Sequence, residues 1–517
     1  MSTEPDTSHR APAGSLRELI HVAWPLILSS GSLSLMNIVD RILLTWYSTD
    51  ALAAAMPSAM LHFTLVSLAM GTATYVTAFV AQYEGANQPA RAAAVTWQGL
   101  YFVMLFGGGV LACAPFSSWI FETIGHEAEV RHLEAAYFRI LCIGSIPMLA
   151  SSVMSSFFAG IGSSRVVMYV NLFAVLVNFV LDYLLIFGTS FTPRMGIEGA
   201  AWATVTAQIT GCLLFMWLMV KFPRVKAYSF FHHWKLDREL FGRLVRYGLP
   251  NGWTFLSDVA GFSVFILLVG QLGTAALAAT NLTFNLNTLA FLPMLGIGTA
   301  VMTLVGQRIG EGRPELAVKT TWMAFWLTAG FMTVCGAVYI LFPEIIMTPY
   351  WMGSETAPPE EIKQLVPTLL KFVALYCLFD GMAIVFGSAI RGAGDTRFSL
   401  WYSMFAGWVV MVLPTYIAWK YFGGNLITSW SACSAFVIVL GIGFMMRFQL
   451  GHWKSMRVIE KTLVVDVVVP IAEDNGSEAD ASGFAASTSQ EANVIAEADT
   501  KFIKRPERCT KETTCGR

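Results

Sequence analysis

The chain has 517 residues, 55% hydrophobic and only 13% charged, with a net charge of −1 and a mean hydropathy of +0.59. A soluble domain carries about a quarter charged residues, so an ordinary soluble fold is excluded, and the near-neutral balance excludes nucleic acid as a bulk polyanionic partner. The eight cysteines show no metal spacing: Cys113, Cys142, Cys212, Cys335, Cys377 and Cys433 lie in apolar runs as packing residues, and Cys509 and Cys515 have no His nearby to suggest zinc.

In chain order, residues 1–18 are a polar N-terminal segment with Pro5, Pro12 and Gly14, and no cleavable signal precedes the first apolar helix, which is expected to stay as an anchor. From there the scarcity of charge is gathered into runs: 204–220, 325–341 and 432–446 contain no Asp, Glu, Lys or Arg. Runs of about 18 or more apolar residues read as membrane helices. A buried helix of a soluble protein accounts for one such run but not a dozen. Twelve spans are expected, over 19–46, 52–80, 93–118, 135–159, 166–188 and 199–221, then 247–271, 276–305, 317–342, 367–390, 398–420 and 425–447. Pro25, Pro57, Pro147, Pro250, Pro293 and Pro414 fall inside them and are expected to kink their helices. The linker 222–246 is expected to hold a short amphipathic surface helix at 241–247. Residues 449–517 are rich in Ser, Ala, Glu and Asp around 473–499, too poor in apolar residues to fold alone, and are expected to form a disordered cytoplasmic tail.

Lys and Arg favour cytoplasmic loops. The loop after the sixth span carries Lys221, Arg224, Lys226, Lys235, Arg238, Arg243 and Arg246; the loop after the eighth carries Arg308, Arg313 and Lys319; the turn after the tenth carries Arg391 and Arg397. The alternate loop 343–361 is acidic, with Glu344, Glu355, Glu360 and Glu361. Both termini are therefore expected in the cytoplasm, as an even span count requires.

The halves repeat one another. Pro25 pairs with Pro250, residues 51–54 with 276–279, and Gln82, Gly85 and Pro89 with Gln307, Gly310 and Pro314, all at one offset of 225; Gly160, Gly162 and Arg165 pair with Gly392, Gly394 and Arg397 at 232. Six spans per repeat make both halves enter the membrane in the same direction. The expected fold is an all-α membrane protein: twelve transmembrane helices in two six-helix lobes, 19–221 and 247–448, related by a pseudo-two-fold axis along the membrane normal. Such repeats build transporters that rock one half against the other.

Four aspartates fall inside spans: Asp40, Asp182, Asp258 and Asp380. A charge at the bilayer centre costs about 2.5–3.5 kcal/mol, so four unpaired ones would cost on the order of 10 kcal/mol. One reading makes each a satisfied interhelical hydrogen-bonding group; the other makes them a functional site. Asp40 and Asp182 lie at similar depth in one half. Asn37 is three residues from Asp40 and Asn178 four from Asp182, so each amide shares a helix face with its carboxyl. Two carboxylates with amide oxygens suit a hard monovalent cation such as Na⁺ at Asp40, Asn178 and Asp182, and equally a proton, since burial and a like neighbour disfavour charge on a carboxyl group. The second half holds Asp258 and Asp380, at positions not equivalent by the repeat, with Asn281 and Asn285 four apart on the eighth span as polar lining. His62 reads as a proton carrier or as a hydrogen-bonded core residue. Phe157, Phe158, Trp253, Phe284 and Phe291 read as packing or as stacking surfaces for a flat cation.

The stretch from Asn178 and Asp182 to Gly188, followed by Gly196, Gly199 and Thr204, and the stretch Arg391 to Thr396, resemble signatures of the multidrug and toxic compound extrusion (MATE) family, especially its bacterial NorM-like branch. The Pro25–Asp40 and Pro250–Asp258 regions fit as well, and the likeness runs over about residues 15–450. The resemblance implies that Asp40 is the first-span acid used in ion coupling and that Asn178 and Asp182 belong to the cation site. It implies that Asp380 is the acid of span ten and Asn285 the Asn of span eight. Asp258 falls where that branch commonly has Glu. Arg41 is a departure from small or hydroxyl residues: it either snorkels to the outer surface or competes with a cation for Asp40.

The function expected is a secondary active antiporter of the plasma (inner) membrane, exporting amphipathic, cationic small molecules as Na⁺ or H⁺ moves inward. Its expected partners are that substrate, the coupling cation and the lipid bilayer, with no cofactor beyond the ion and a monomeric chain. Carboxylate–amide sites serve both ions, so the residues leave the choice open. Three rivals remain. A lipid-linked oligosaccharide flippase would line its cavity with Arg and Lys; a membrane-embedded enzyme would need a nucleophile or metal motif; a transporter-derived sensor would signal through the tail.

Overall fold

The computed structural model describes residues 12–124, 127–189, 192–351 and 360–460. Twelve helices long and apolar enough to cross a bilayer follow one another in it: α1 (Leu16–Tyr47), α2 (Asp50–Gly85), α3 (Pro89–Thr123), α4 (Val130–Gly160), α5 (Ser164–Phe187), α6 (Ile197–Lys221), α7 (Arg238–Gly270), α8 (Thr274–Gly310), α9 (Pro314–Leu341), α10 (Glu361–Ala393), α11 (Thr396–Tyr421) and α12 (Leu426–Gln449). The protein is an integral, multi-pass membrane protein. The stretch expected as a separate surface helix at 241–247 is instead part of α7. Asp237 caps that helix, its carboxylate accepting from the Glu239 and Leu240 N–H groups, so the helix starts at Arg238 and runs on through Pro250.

The repeat is visible in the turns. Asn87 and Gly312 both take left-handed φ, 54° and 74°, and two residues later Pro89 and Pro314 open α3 and α9. Gly162 and Gly394 make the corresponding positive-φ turns after α4 and α10. Each lobe then packs in the same pattern: α4 on α2 and α6 in the first, α10 on α8 and α12 in the second. Between lobes, α1 packs on α8 and α7 on α2, which are one contact seen from the two ends of the pseudo-two-fold axis.

The lobes are sewn together from mid-bundle to the end that carries the linker. Ser30 Oγ donates to the Leu292 carbonyl at 3.2 Å, Asn251 Nδ2 to Gly71 at 2.6 Å, and Tyr75 Oη to Arg391 at 2.9 Å. Arg308, in the last turn of α8, pairs with Glu18 of α1 and with Glu311. Further inter-lobe hydrogen bonds from Gln82, Tyr83 and Gln307 lie in the same part of the bundle.

Three spans are irregular: α2 is interrupted at Tyr75, α3 passes through a 3-10 turn at Ala114–Phe116, and α11 carries a π-helix. Between Thr396–Met404 and Leu413–Tyr421, α11 widens to a π-helix over Phe405–Val412. Pro414 follows at once. It has no N–H to give the preceding turn and its ring crowds the carbonyl there, and a local widening relieves both. Trp408, inside the widened turn, donates from Nε1 to Ser257 Oγ at 2.9 Å.

Residues 451–460, expected within the disordered tail, are packed: Trp453 and Val458 are buried and Trp453 stacks on Phe448 with centroids 4.8 Å apart. An indole can fasten a short segment that is otherwise too polar to fold alone. The remainder of the expected tail, 461–517, lies outside the described residues.

Candidate functional site

The strongest site is set by the register of two parallel helices. Ser29 of α1 accepts from Asn171 Nδ2 of α5 at 2.6 Å. Three turns further along each helix, about 16 Å, stand Asp40 and Asp182, and their carboxyl groups act directly on each other. Asn178, one turn before Asp182, turns its amide toward that carboxyl. Thr204 of α6 donates from Oγ1 to Asp40 Oδ2 at a long 3.5 Å. Tyr137 of α4 brings a buried phenol near enough for both carboxyl charges to reach it. Asp40 is 8% exposed, Asn178 1% and Asp182 0%.

These groups are direct side-chain neighbours, Asp40 with Asp182 and Asp182 with Asn178. Asp40 Oδ1, both Asp182 oxygens and both polar atoms of Asn178 are buried without a hydrogen-bond partner. Four oxygens and one amide nitrogen thus converge unsatisfied, where leaving a single buried polar atom unpaired costs about 1–3 kcal/mol. Carboxyl and amide oxygens at one point are ligands for a hard cation or a seat for a proton.

Local sequence explains why the site is held there. α5 ends at Gly188 and the chain folds back so that Met195 N–H donates to the Leu185 carbonyl at 2.9 Å. At Gly196 φ is +57°, and a Cβ there would stand 2.6 Å from the Tyr47 hydroxyl; at Gly199 it would stand 2.6 Å from the Leu185 carbonyl. The two glycines let α6 start tight against the ends of α1 and α5, which brings Thr204 to the depth of Asp40. Around the carboxyls, Leu44, Ala54, Ile140, Ile186, Ala201 and Val205 form an apolar cage. A cavity of about 550 Å³ lies between α1 and α5, walled by Leu35, Met36, Val39, Phe173, Leu176 and Phe179, with Asn178 on its wall.

The other expected residues divide. The Asn37 side chain lies outside those described. Arg41 is exposed; its charge acts on Asp40 from outside, but no ion pair joins them among the described residues. His62 is buried and hydrogen-bonded through Nε2 to Ser145 Oγ at 2.9 Å, a core placement. Phe157 and Phe158 are fully buried in aromatic clusters with Tyr228 and Phe215, and Phe284 stacks on Trp430, so all three pack.

The second-lobe pair is not drawn together as the first is. Asp258 sits half-buried on α7, which packs chiefly on α2 and α11; Asp380 sits half-buried on α10, which packs on α8, α9 and α12. The charge facing Asp258 is Arg391, read from sequence as a loop residue and found in the last turn of α10, where its Nη2 donates to Ser388 Oγ at 3.3 Å. Asp380 stands among Tyr376, Cys377 and Cys433. Asn281 and Asn285 are exposed on α8 and do not join either carboxyl in a buried site.

Tyr137 is the site residue that sequence reasoning misses, and Thr204 enters it only as the last residue of the signature stretch, with no role at the site. Neither carries charge. Thr204 opens one of the charge-free runs.

The MatE family model matches residues 25–184 and 250–417, one stretch in each lobe. By sequence the chain is similar to a probable multidrug resistance protein NorM of Rhizobium meliloti (26% identical over 455 residues, 86% of this chain and 94% of that one). It is also similar to the multidrug resistance protein NorM of Burkholderia vietnamiensis (30% over 389 residues, 75% and 83%). By structure it is similar to a multidrug resistance MATE family transporter of the MOP superfamily solved in an outward-facing conformation, with a TM-score of 0.77 at 20% identity, covering 86% of this chain and 98% of that one.

Proposed function

The chain belongs to the MatE family of multidrug efflux transporters, and from that premise we propose that it is a secondary antiporter exporting amphipathic, cationic small molecules in exchange for inward Na⁺ or H⁺. The observation that carries the proposal is the facing pair Asp40 and Asp182 with its unsatisfied buried oxygens. A captured cation or proton relieves the cost of holding them in a low-dielectric slab. The relatives named as multidrug resistance proteins support drugs as the cargo. The apolar recess between α1 and α5, beside the carboxyls, suits the apolar part of an amphipathic molecule.

Basic loops orient the linker end toward the cytoplasm, with both termini there and the chain in the inner membrane. Inter-lobe hydrogen bonds gather at that end, which supports reading this form as the one closed toward the cytoplasm. An ion arriving from outside binds Asp40 and Asp182, neutralises them and favours one arrangement of the first lobe. It shifts the equilibrium only by its difference in affinity for the two arrangements. A flippase for a pyrophosphate-linked lipid fits less well, because Arg391, which stands near the second-lobe acids, already faces Asp258.

The test is transport of a fluorescent organic cation by everted vesicles under imposed Na⁺ or H⁺ gradients. One gradient is expected to drive uptake, and Asp40→Asn or Asp182→Asn to reduce the driven rate by about tenfold or more, the loss of about 1.4 kcal/mol of coupling. Wild-type rates indifferent to both gradients would overturn antiport; full rates in both variants would overturn the site.

A further inference from the structure

The repeat matches two sets of residues that the carboxylate pair does not use, Gln82 with Gln307 and Gly160 with Gly392. In the fold they exchange partners across the pseudo-two-fold axis. Gln82 Nε2 donates to the Gly392 carbonyl at 2.9 Å, and Gln307 Nε2 donates to the Gly160 carbonyl at 2.8 Å. Both acceptors are carbonyls at the ends of long helices, α10 and α4, which lack a partner within their own helix. The lobes come close enough for this only because Gly85 and Gly310 lack side chains. A Cβ on Gly85 would stand 2.0 Å from the Gln307 carbonyl oxygen, and one on Gly310 2.1 Å from that of Gln82. The result is a two-fold seal at the linker end.

The symmetry breaks at one atom. Gln82 Oε1 accepts from the Val458 N–H at 2.9 Å. Val458 belongs to the short segment after α12, which is rooted in the second lobe: Trp453 Nε1 donates to the Phe448 carbonyl at 2.8 Å, and Val458 lies against Gly394. The segment ends on both lobes at once. Glu460 accepts from the Tyr83 hydroxyl of the first lobe at 2.9 Å and pairs with Arg243 of the second at 2.8 Å. A segment that only trimmed the second lobe would find its polar partners there. This one takes Gln82 and Tyr83 from the opposite lobe, and both are fully buried.

We propose that residues 451–460 are a clasp on this seal: the segment must leave Gln82 and Tyr83 before the lobes part at the linker end, so its attachment sets how often that end opens. The proposal rests on reading the molecule as a two-lobe transporter, but its test needs neither ion gradient nor cargo. Failure of antiport in vesicles leaves it standing, and its own failure leaves antiport standing.

The experiment is hydrogen–deuterium exchange of the full chain in lipid nanodiscs. Two variants are compared with wild type. Val458→Pro removes the N–H that holds Gln82, and Tyr83→Phe, a deletion of one hydroxyl, releases Glu460. Each is expected to speed exchange of the seal amides, 76–86 and 303–312, by about fivefold or more, the effect of losing one hydrogen bond that closes a local opening. Exchange in α5 and α9, away from the seal, is expected to stay as in wild type. Seal exchange unchanged in Tyr83→Phe would overturn the clasp, whatever Val458→Pro does. Exchange raised alike in α5, α9 and the seal would also overturn it, since the segment would then be a brace of the whole bundle.

Discussion

At the scale of single residues, two aspartates of the same protein show opposite uses of the carboxylate. Asp182 is fully buried, and neither of its carboxyl oxygens has a hydrogen-bond donor. Asp237 is placed to be charged: the Leu240 N–H, then Arg91, then the Glu239 N–H hold its carboxyl below the ordinary carboxylate range, against a small cost of burial. Its pairing with Arg91 at 3.0 Å is largely exposed and contributes little; the cap at the start of α7 is the larger effect. Asp237→Ala is expected to destabilise the detergent-solubilised protein by about 1 kcal/mol at neutral pH. The sign of the pH dependence follows from the depressed value. The stabilisation is fully present above the unfolded-state value, about 3.9, and is lost as pH falls through the lower folded value. Melting curves of wild type and variant are therefore expected to differ by a constant amount at neutral pH and to converge only in strong acid. A gap that closed on raising pH would show that the cap is not the source.

At the scale of helices, the turn between α5 and α6 controls the site without touching an ion. Gly196→Ala places a side chain at φ +57°, ψ −126°, a region kept almost wholly for glycine, and against the Tyr47 ring. It is expected to cost about 1–3 kcal/mol in melting experiments and to lift the start of α6, so that transport falls more steeply than expression. Ala at Gly108, whose Cβ meets nothing within 4 Å, is the matched control. If both variants transported alike, the turn would have no part in placing Thr204. The same helices show what sequence can carry. Spans are legible because hydrocarbon demands long uncharged runs, and the lobes are legible because Pro25, Gln82 and Gly85 recur at one spacing. Asp40 and Asp182 are legible because charge in such a run is costly. Tyr137 is silent, and Thr204 speaks only through its place in the signature stretch, since an uncharged polar side chain in a span costs too little to stand out. Asp258 and Asp380 carry the same signal of charge in a span, but depth along a helix does not tell which helices are neighbours: α7 packs chiefly on α2 and α11, and α10 on α8, α9 and α12. The packed segment 451–460 is hidden because a single Trp453 fastens a stretch whose average composition reads as tail.

At the scale of the whole molecule, the two-fold repeat makes the seal at the linker end a device whose halves can be tested against each other. Gly85 and Gly310 each admit the opposite lobe's backbone to a distance no Cβ tolerates, 2.0 and 2.1 Å, and the obstructing atoms are carbonyl oxygens, not flexible side-chain ends. Alanine at either position therefore cannot be absorbed by a rotamer change; the lobes must separate at that end. Neither residue lies near the carboxylate pair, and within its own helix each alanine is a better helix former than the glycine it replaces. Gly85→Ala and Gly310→Ala are thus expected to leave the melting temperature of each lobe nearly unchanged while shifting the lobe equilibrium toward opening at the linker end. Exchange of the seal amides should rise by about tenfold in both, since a clash costs about 1–3 kcal/mol of the closed state, and transport should slow because the form closed at the linker end becomes rarer. The two-fold relation adds a sharper demand: the effects of the two substitutions should agree within about threefold, with the excess at Gly310, whose partner residue Gln82 also holds Val458. A large effect at one glycine and none at the other would show that the lobes meet through one helix end alone, and that the matching glutamines and glycines record shared ancestry of the halves without shared work.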